Sequence, residues 1–203
     1  MKLFNDIDFK DFIRTAFERE LARVDFKDTL DMDLAALTDK ISKKLTFTVP
    51  YIEQSGIKSE IHLKDKENLN SEIPSTKEDK NSTSAFAVFK IPFSGNEEIF
   101  KISTDKTEKE EYDFEITGNY LEYKIPTQSS DYQIDESDKK EIIDQSADFV
   151  SYIEQHLHEL EKDFAQFNQM LPHLISTALN EKKAYAIVAK RNEESINTFG
   201  KNS

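Results

Sequence analysis

Glu154 and His158 stand four residues apart, the spacing at which two side chains share one helix face and can jointly hold a metal or pass a proton. A di-metal bundle needs a second Glu/His pair on a facing helix, and the sequence has none. A surface ion pair accounts better for these two residues. His156 and His158 are two apart, so on a helix they point about 200° away from each other and cannot share an ion. The remaining histidines, His62 and His173, lie in other segments. The chain has no cysteine, which removes disulfides, thiolate ligands and a cysteine nucleophile. Its four glycines, Gly56, Gly95, Gly118 and Gly200, are too scattered to cradle a phosphate, and no G-x-S-x-G elbow is present.

Carboxylates are plentiful, but none is marked as buried with a raised pKa, which acid–base work requires. The run Glu108-Lys109-Glu110-Glu111-Tyr112-Asp113 reads as a solvated connection. Asp28, Asp31 and Asp33 lack the glycine and distal glutamate of a calcium loop, so helix capping is expected of them. No catalytic, cofactor-binding or metal-ligating residue is therefore expected, and the chain reads as a non-enzyme without a cofactor.

The elements follow from the apolar period. Asp8 can cap a helix in which Phe9, Phe12, Ile13, Phe17, Leu21 and Val24 recur at helical spacing. A second helix shows Leu30, Leu34, Leu37, Ile41 and Leu45 on one face, so residues 1–44 read as helical. Residues 45–126 change to period two. Leu45–Val49 and Ile57–Leu63 alternate as strands, and Ala85–Ile91 is the most apolar strand candidate. Between the last two, residues 64–84 are almost wholly polar and predict a mobile loop. The segment Phe93–Thr104, with Gly95-Asn96, is echoed at Ile116–Thr127, with Gly118-Asn119. Glycine followed by asparagine supplies positive φ cheaply, so two successive hairpins are expected in an antiparallel meander of about five or six strands. Eight aromatic residues between Phe86 and Tyr123 supply its core or line a ligand groove.

Residues 127–136 form a polar linker, and the pattern then turns helical. Ile142, Ile143, Phe149, Val150, Ile153, Leu157, Leu160, Phe164, Phe167 and Leu171 trace one stripe. Pro172 interrupts it, and a second run passes through Leu174, Ile175, Leu179, Tyr185, Ile187, Val188 and Ile196. The spacing predicts a helical hairpin over 137–198. The whole reads as one α+β unit, 1–203.

The 203 residues carry a net charge of −13, concentrated in residues 127–163, while the last forty are slightly basic. Lys182, Lys183, Lys190, Arg191 and Lys201 are too few to neutralise a nucleic-acid backbone and read as a solvated face, so direct nucleic-acid binding is disfavoured. No run approaches the ~20 apolar residues that span a bilayer. The opening Met1-Lys2-Leu3-Phe4-Asn5-Asp6 turns acidic too soon for a secretory signal. A cytoplasmic protein is expected, with no membrane role.

Phe93-Ser94-Gly95-Asn96, then Gly118 to Tyr123, then a long helix ending Phe164-Ala165-Gln166-Phe167-Asn168-Gln169-Met170-Leu171-Pro172, form a recurring order. A helix carrying Lys182, Lys183, Lys190 and Arg191 continues it. Over roughly residues 85–200, this order resembles the amino-terminal, non-catalytic regions of modular bacterial proteins. Some of those are anti-phage defence effectors with a TIR or nuclease domain downstream. The resemblance implies a sensing or assembly part, and it carries over no functional residue. This sequence departs from that order by ending at Ser203, where the effector would begin.

The expectation is thus a protein-interaction or assembly module that docks a protein partner or a second copy of itself. Its interface would lie on Phe149, Ile153, Leu157, Leu160, Phe164 and Phe167, because that stripe is longer than a small sheet can cover. The alternative is a sensing domain that binds a small molecule against the aromatic sheet.

Overall fold

The Asp8 carboxylate starts the first helix by accepting from the backbone N–H groups of Lys10 (2.8 Å) and Asp11 (3.3 Å). Two of the donors that a helix start leaves open are thereby satisfied, and α1 runs Phe9–Ala22. After a single 3-10 turn at Asp28–Leu30, Asp33 does the same for Ala35 and Ala36 and starts α2, Leu34–Leu45. The computed structural model describes residues 3–64, 84–104, 112, 114–127 and 133–199. The expected loop at 64–84 (between its terminal residues Lys64 and Ser84) and most of the run 108–113 lie outside the described residues.

The strands are β1 (Ile7–Asp8), β2 (Tyr51–Ile52), β3 (Lys58–Lys64), β4 (Ser84–Ser94), β5 (Ile102–Ser103), β6 (Phe114–Thr117) and β7 (Tyr120–Pro126). A small sheet pairs β1 with β5. The main sheet is antiparallel and five-stranded, as expected. β2 and β3 lie along successive stretches of β4, which pairs on its other side with β7, and β7 with β6. The 3-10 turn Gln54–Gly56 lets the chain change from β2 to β3, and it passes so close to β4 that a Cβ on Gly56 would meet Pro92 Cγ at 2.7 Å.

Two strand expectations are corrected. Leu45 closes α2, and Leu45–Val49 forms no strand. The Asn168 carboxamide replaces a neighbouring strand there: its Nδ2 donates to the Phe47 carbonyl (2.9 Å) and its Oδ1 accepts from the Phe47 N–H (3.2 Å). The first Gly-Asn pair makes no hairpin either. Asn96 Oδ1 accepts from the Glu98 N–H and opens a 3-10 helix, Glu97–Lys101. Only Gly118-Asn119 closes a two-residue hairpin, with Thr117 opposite Tyr120.

The helical hairpin is also corrected. One helix, α3, runs Glu136–Phe199 with Pro172 inside it. Proline removes one helical hydrogen bond and crowds the carbonyl four residues back, a cost of about 3 kcal/mol. Against that, Phe164, Phe167, Leu171, Ile175 and Leu179 continue one buried stripe through the proline. No glycine lies between Gly118 and Gly200 to turn the chain, so continuing the helix keeps the stripe in phase.

The chain, expected as one unit, divides by its contacts into two compact units: residues up to Ile7 with Val49–Glu159, and Asp8–Thr48 with the chain from Leu160 onward. In the first unit, β4 and β7 turn one face to a core, with Ala87 opposite Ile125, Phe89 opposite Tyr123, and Ile91 opposite Leu121. The first part of α3 covers that face. Ile142 joins Ala87 and Ile125, and Phe149 stacks on Tyr123 with ring centroids 4.0 Å apart. Neighbouring positions in the strands carry charge, where Lys90 meets Glu60 (2.9 Å) and Lys124 meets Glu115 (2.8 Å).

In the second unit, Ala16, Ile41 and Leu45 pack with Phe167, Leu171, Ile175 and Leu179. Phe9, Phe12 and Phe47 close around Phe164. Burying side chains of this size is worth about 1.5–3 kcal/mol each, which is what holds three helices together. Beside this core the Glu20 carboxylate pairs with Arg23 and with Lys44 (3.2 Å). Burial by itself would raise its pKa, but Lys44, Arg23 and Arg19 together hold it below the ordinary value.

Candidate functional site

The six residues expected at an interface are all buried in the chain itself. Phe149 lies against Tyr123 and Tyr112, and Phe164 and Phe167 lie against Phe47. Ile153, Leu157 and Leu160 are buried likewise. The stripe is real, but its partners are the sheet in one unit and α1 and α2 in the other, and the two covers together extend further than the sheet alone could.

Apart from Ile143 near its start, the exposed large apolar residues of α3 lie further along the helix. Tyr185 is 73% exposed, Ile196 71% and Val188 55%, with Met170 and Leu174 also exposed. At about 100° per residue these five fall within roughly a quarter-turn of one another. They form a broken apolar face beside the buried one. Of the basic group, Lys182 is engaged: its Nζ donates to the Val24 carbonyl just beyond α1 (2.9 Å), where an ammonium suits a helix end. Glu181, Glu193 and Glu194 lie among the other basic residues, and Glu193 pairs with Lys27 (2.8 Å). Lys201 lies outside the described residues.

A second feature is a groove of about 360 Å³ in the sheet-bearing unit. Phe89, Ile91 and Ile57 line it from the sheet, and Ser146, Val150 and Ser151 from α3. Gln54 and Glu154 also line it, and Gln54 donates to the Glu154 carboxylate. The aromatic sheet expected to face a ligand contributes one ring here, Phe89. Tyr123 and Phe93 are spent on Phe149 and Phe100. Neither Ser146 nor Gln54 carried a sequence signal, because the groove arises from the way α3 crosses the sheet.

The histidines separate as their spacing requires. His156 is buried, 2% exposed, and His158 is exposed. No group of three or more His, Asp or Glu side chains able to hold a metal occurs among the described residues. On the sheet, the ordinary pKa of Glu60 is lowered by Lys90 and by His62. Such a carboxylate stays ionised and serves as an ion-pair partner rather than a proton donor. Among the described residues no helix is long and apolar enough to cross a membrane. Comparison of the chain with protein-family models, with curated proteins and with solved structures finds no match.

Proposed function

We propose that this chain is a non-enzymatic protein-interaction or assembly module acting in the cytoplasm as the sensing or scaffold part of a bacterial defence system. The observation that carries the interaction reading is the apolar face Met170, Leu174, Tyr185, Val188 and Ile196, left exposed on a helix that buries its stripe from Phe149 to Leu179. Large exposed apolar groups aligned on one helix face are costly to leave in water and suit a protein partner. The engaged Lys182 and the interspersed glutamates support a protein rather than a nucleic acid as that partner. The defence assignment rests on the order of elements over residues 85–200 alone.

The test is light scattering of the purified chain together with a tagged pull-down from its native host. Both are compared with a variant carrying Tyr185→Ser, Val188→Ser and Ile196→Ser. A stoichiometric complex, with a second copy or another protein, that the folded variant loses is the expected result. A strict monomer that recovers no stoichiometric partner sinks the reading.

The groove favours a second reading, a sensing domain for a small molecule with an apolar body and polar ends. Selective binding to the folded state must raise the melting temperature, so a thermal-shift panel of nucleotides and metabolites is its test. Loss of the shift in Phe89→Ala would locate it in the groove.

A further inference from the structure

We propose that Leu3-Phe4 is a releasable latch, closed over Phe100, Tyr152 and His156 while the His156 imidazole is neutral and opened when that ring takes a proton. Phe4 is held in a costly way. Its φ is 52°, a left-handed conformation that side chains with a Cβ rarely adopt, and it is the one such non-glycine residue among the described residues. Strain of this kind persists only where the surroundings over-determine it. Here they do, because the Phe4 side chain is 2% exposed and its ring stacks on His156 at 4.4 Å, with the planes 5° apart. Phe100 and Tyr152 flank it, each at 6.1 Å. The Leu3 N–H donates to the Tyr112 carbonyl (3.1 Å), and the Phe4 N–H donates to the Phe100 carbonyl (2.7 Å).

His156 supplies the release. It is buried, and its Nδ1 has no hydrogen-bond partner. A neutral imidazole can leave Nδ1 as a bare lone pair, whereas an imidazolium makes it an N–H donor and adds a charge. Burial pushes its pKa below the ordinary 6.5; the Tyr152 backbone acts in the other sense, but no bond of normal geometry forms at Nδ1, so burial decides.

Apart from the Tyr152 backbone, the groups around the ring are mostly apolar and give a charge little relief. From its own helix the Tyr152 ring lies 4.4 Å away, and from the amino-terminal segment Phe4 covers it. Of the charged residues those elements carry, Asp6 and Glu97 are exposed, Glu98 pairs with Lys101 (2.8 Å), and Glu159, three residues on from His156, is half-buried. On α3, Glu154 accepts from Gln54. A protonated ring would gain from stacking on Phe4, but that attraction is smaller than the cost of a buried charge with an unfilled donor.

With the latch open, the ring is solvated and its pKa returns towards the ordinary value, so the open form binds more protons. The closed form is at full strength above about pH 6.5 and loses stability as the pH falls below it.

The experiment is hydrogen exchange on the whole chain between pH 7.5 and 5.0, corrected for intrinsic rates. The amides of Leu3 and Phe4 should open by up to about tenfold per pH unit below 6.5, relative to those of β4 and β7. His156→Phe keeps a stacking ring that cannot titrate, and its profile should be flat. An equal acid response in His156→Phe, or no selective opening in the native chain, overturns the proposal. Should His156→Phe not fold, imidazole NMR of the native chain decides. An apparent pKa below 6.5, with the Phe4 ring resonances moving alongside it, supports the latch. A value at or above 6.5, or Phe4 resonances that stay fixed, overturns it.

Discussion

The dipeptide Gly-Asn occurs twice in similar surroundings and builds two different things. At Gly118-Asn119 the chain reverses and pairs Thr117 with Tyr120. Glycine holds the positive φ of 63° and asparagine needs none, the pattern of a hairpin turn with glycine first. At Gly95-Asn96 the glycine has φ 116°, and the asparagine side chain caps a 3-10 helix instead. The residues after each turn decide the outcome. Tyr120-Leu121-Glu122-Tyr123 alternates and finds β4 waiting, whereas Glu97-Glu98 suits the positive end of a helix. The surroundings differ too, since nothing lies within 4 Å of a Cβ on Gly118 while one on Gly95 would meet the Pro50 backbone at 3.1 Å.

Substitution should separate the two turns, with unfolding in urea as the measurement. Gly95→Ala should cost most, about 2–3 kcal/mol, because backbone strain and a close backbone neighbour act together. Gly118→Ala should cost about 1–2 kcal/mol from the left-handed backbone alone. Equal losses would mean that Pro50 does not matter. Asn96→Ala should lose a cap worth about 1 kcal/mol. Asn119→Ala should stay within about 0.5 kcal/mol, because the hairpin uses the Asn119 carbonyl, which accepts from the Phe93 N–H, and not its side chain. A larger loss at Asn119 than at Asn96 would reverse the assignment of cap and turn.

Local chemistry was legible in the sequence and distant partners were not. Asp8 reads correctly as a cap because its donors, Lys10 and Asp11, are two and three residues away. Leu45–Val49 reads wrongly as a strand because the group that satisfies Phe47 is the side chain of Asn168, which no alternation pattern reports. Pro172 reads as a break because a lone proline usually is one. The buried stripe on both sides of it outweighs that preference only once α1 and α2 are in place. The stripe from Phe149 to Phe167 was visible, but its cover was not, so the exposed face shifted to Tyr185, Val188 and Ile196. His156 and His158 were separable by spacing. That Phe4 reaches His156 depends on a single left-handed residue, to which sequence pattern is blind.

The helical unit is assembled from two stretches, with Val49–Glu159 threaded between them. On the ribosome this sets a delay. At about 5–20 residues per second, on the order of ten seconds separate the emergence of α2 from that of Phe164 and Leu171. During that interval Phe9, Ile13, Leu34 and Leu37 have no α3 to cover them, and helices as short as α1 and α2 are marginal alone in water. The sheet can pair its strands during synthesis, whereas the three-helix core can close only after the chain returns. A nascent chain stalled before Phe164 would therefore present two unpaired amphipathic segments to a chaperone or a protease, in the same molecule as a sheet whose strands have already emerged.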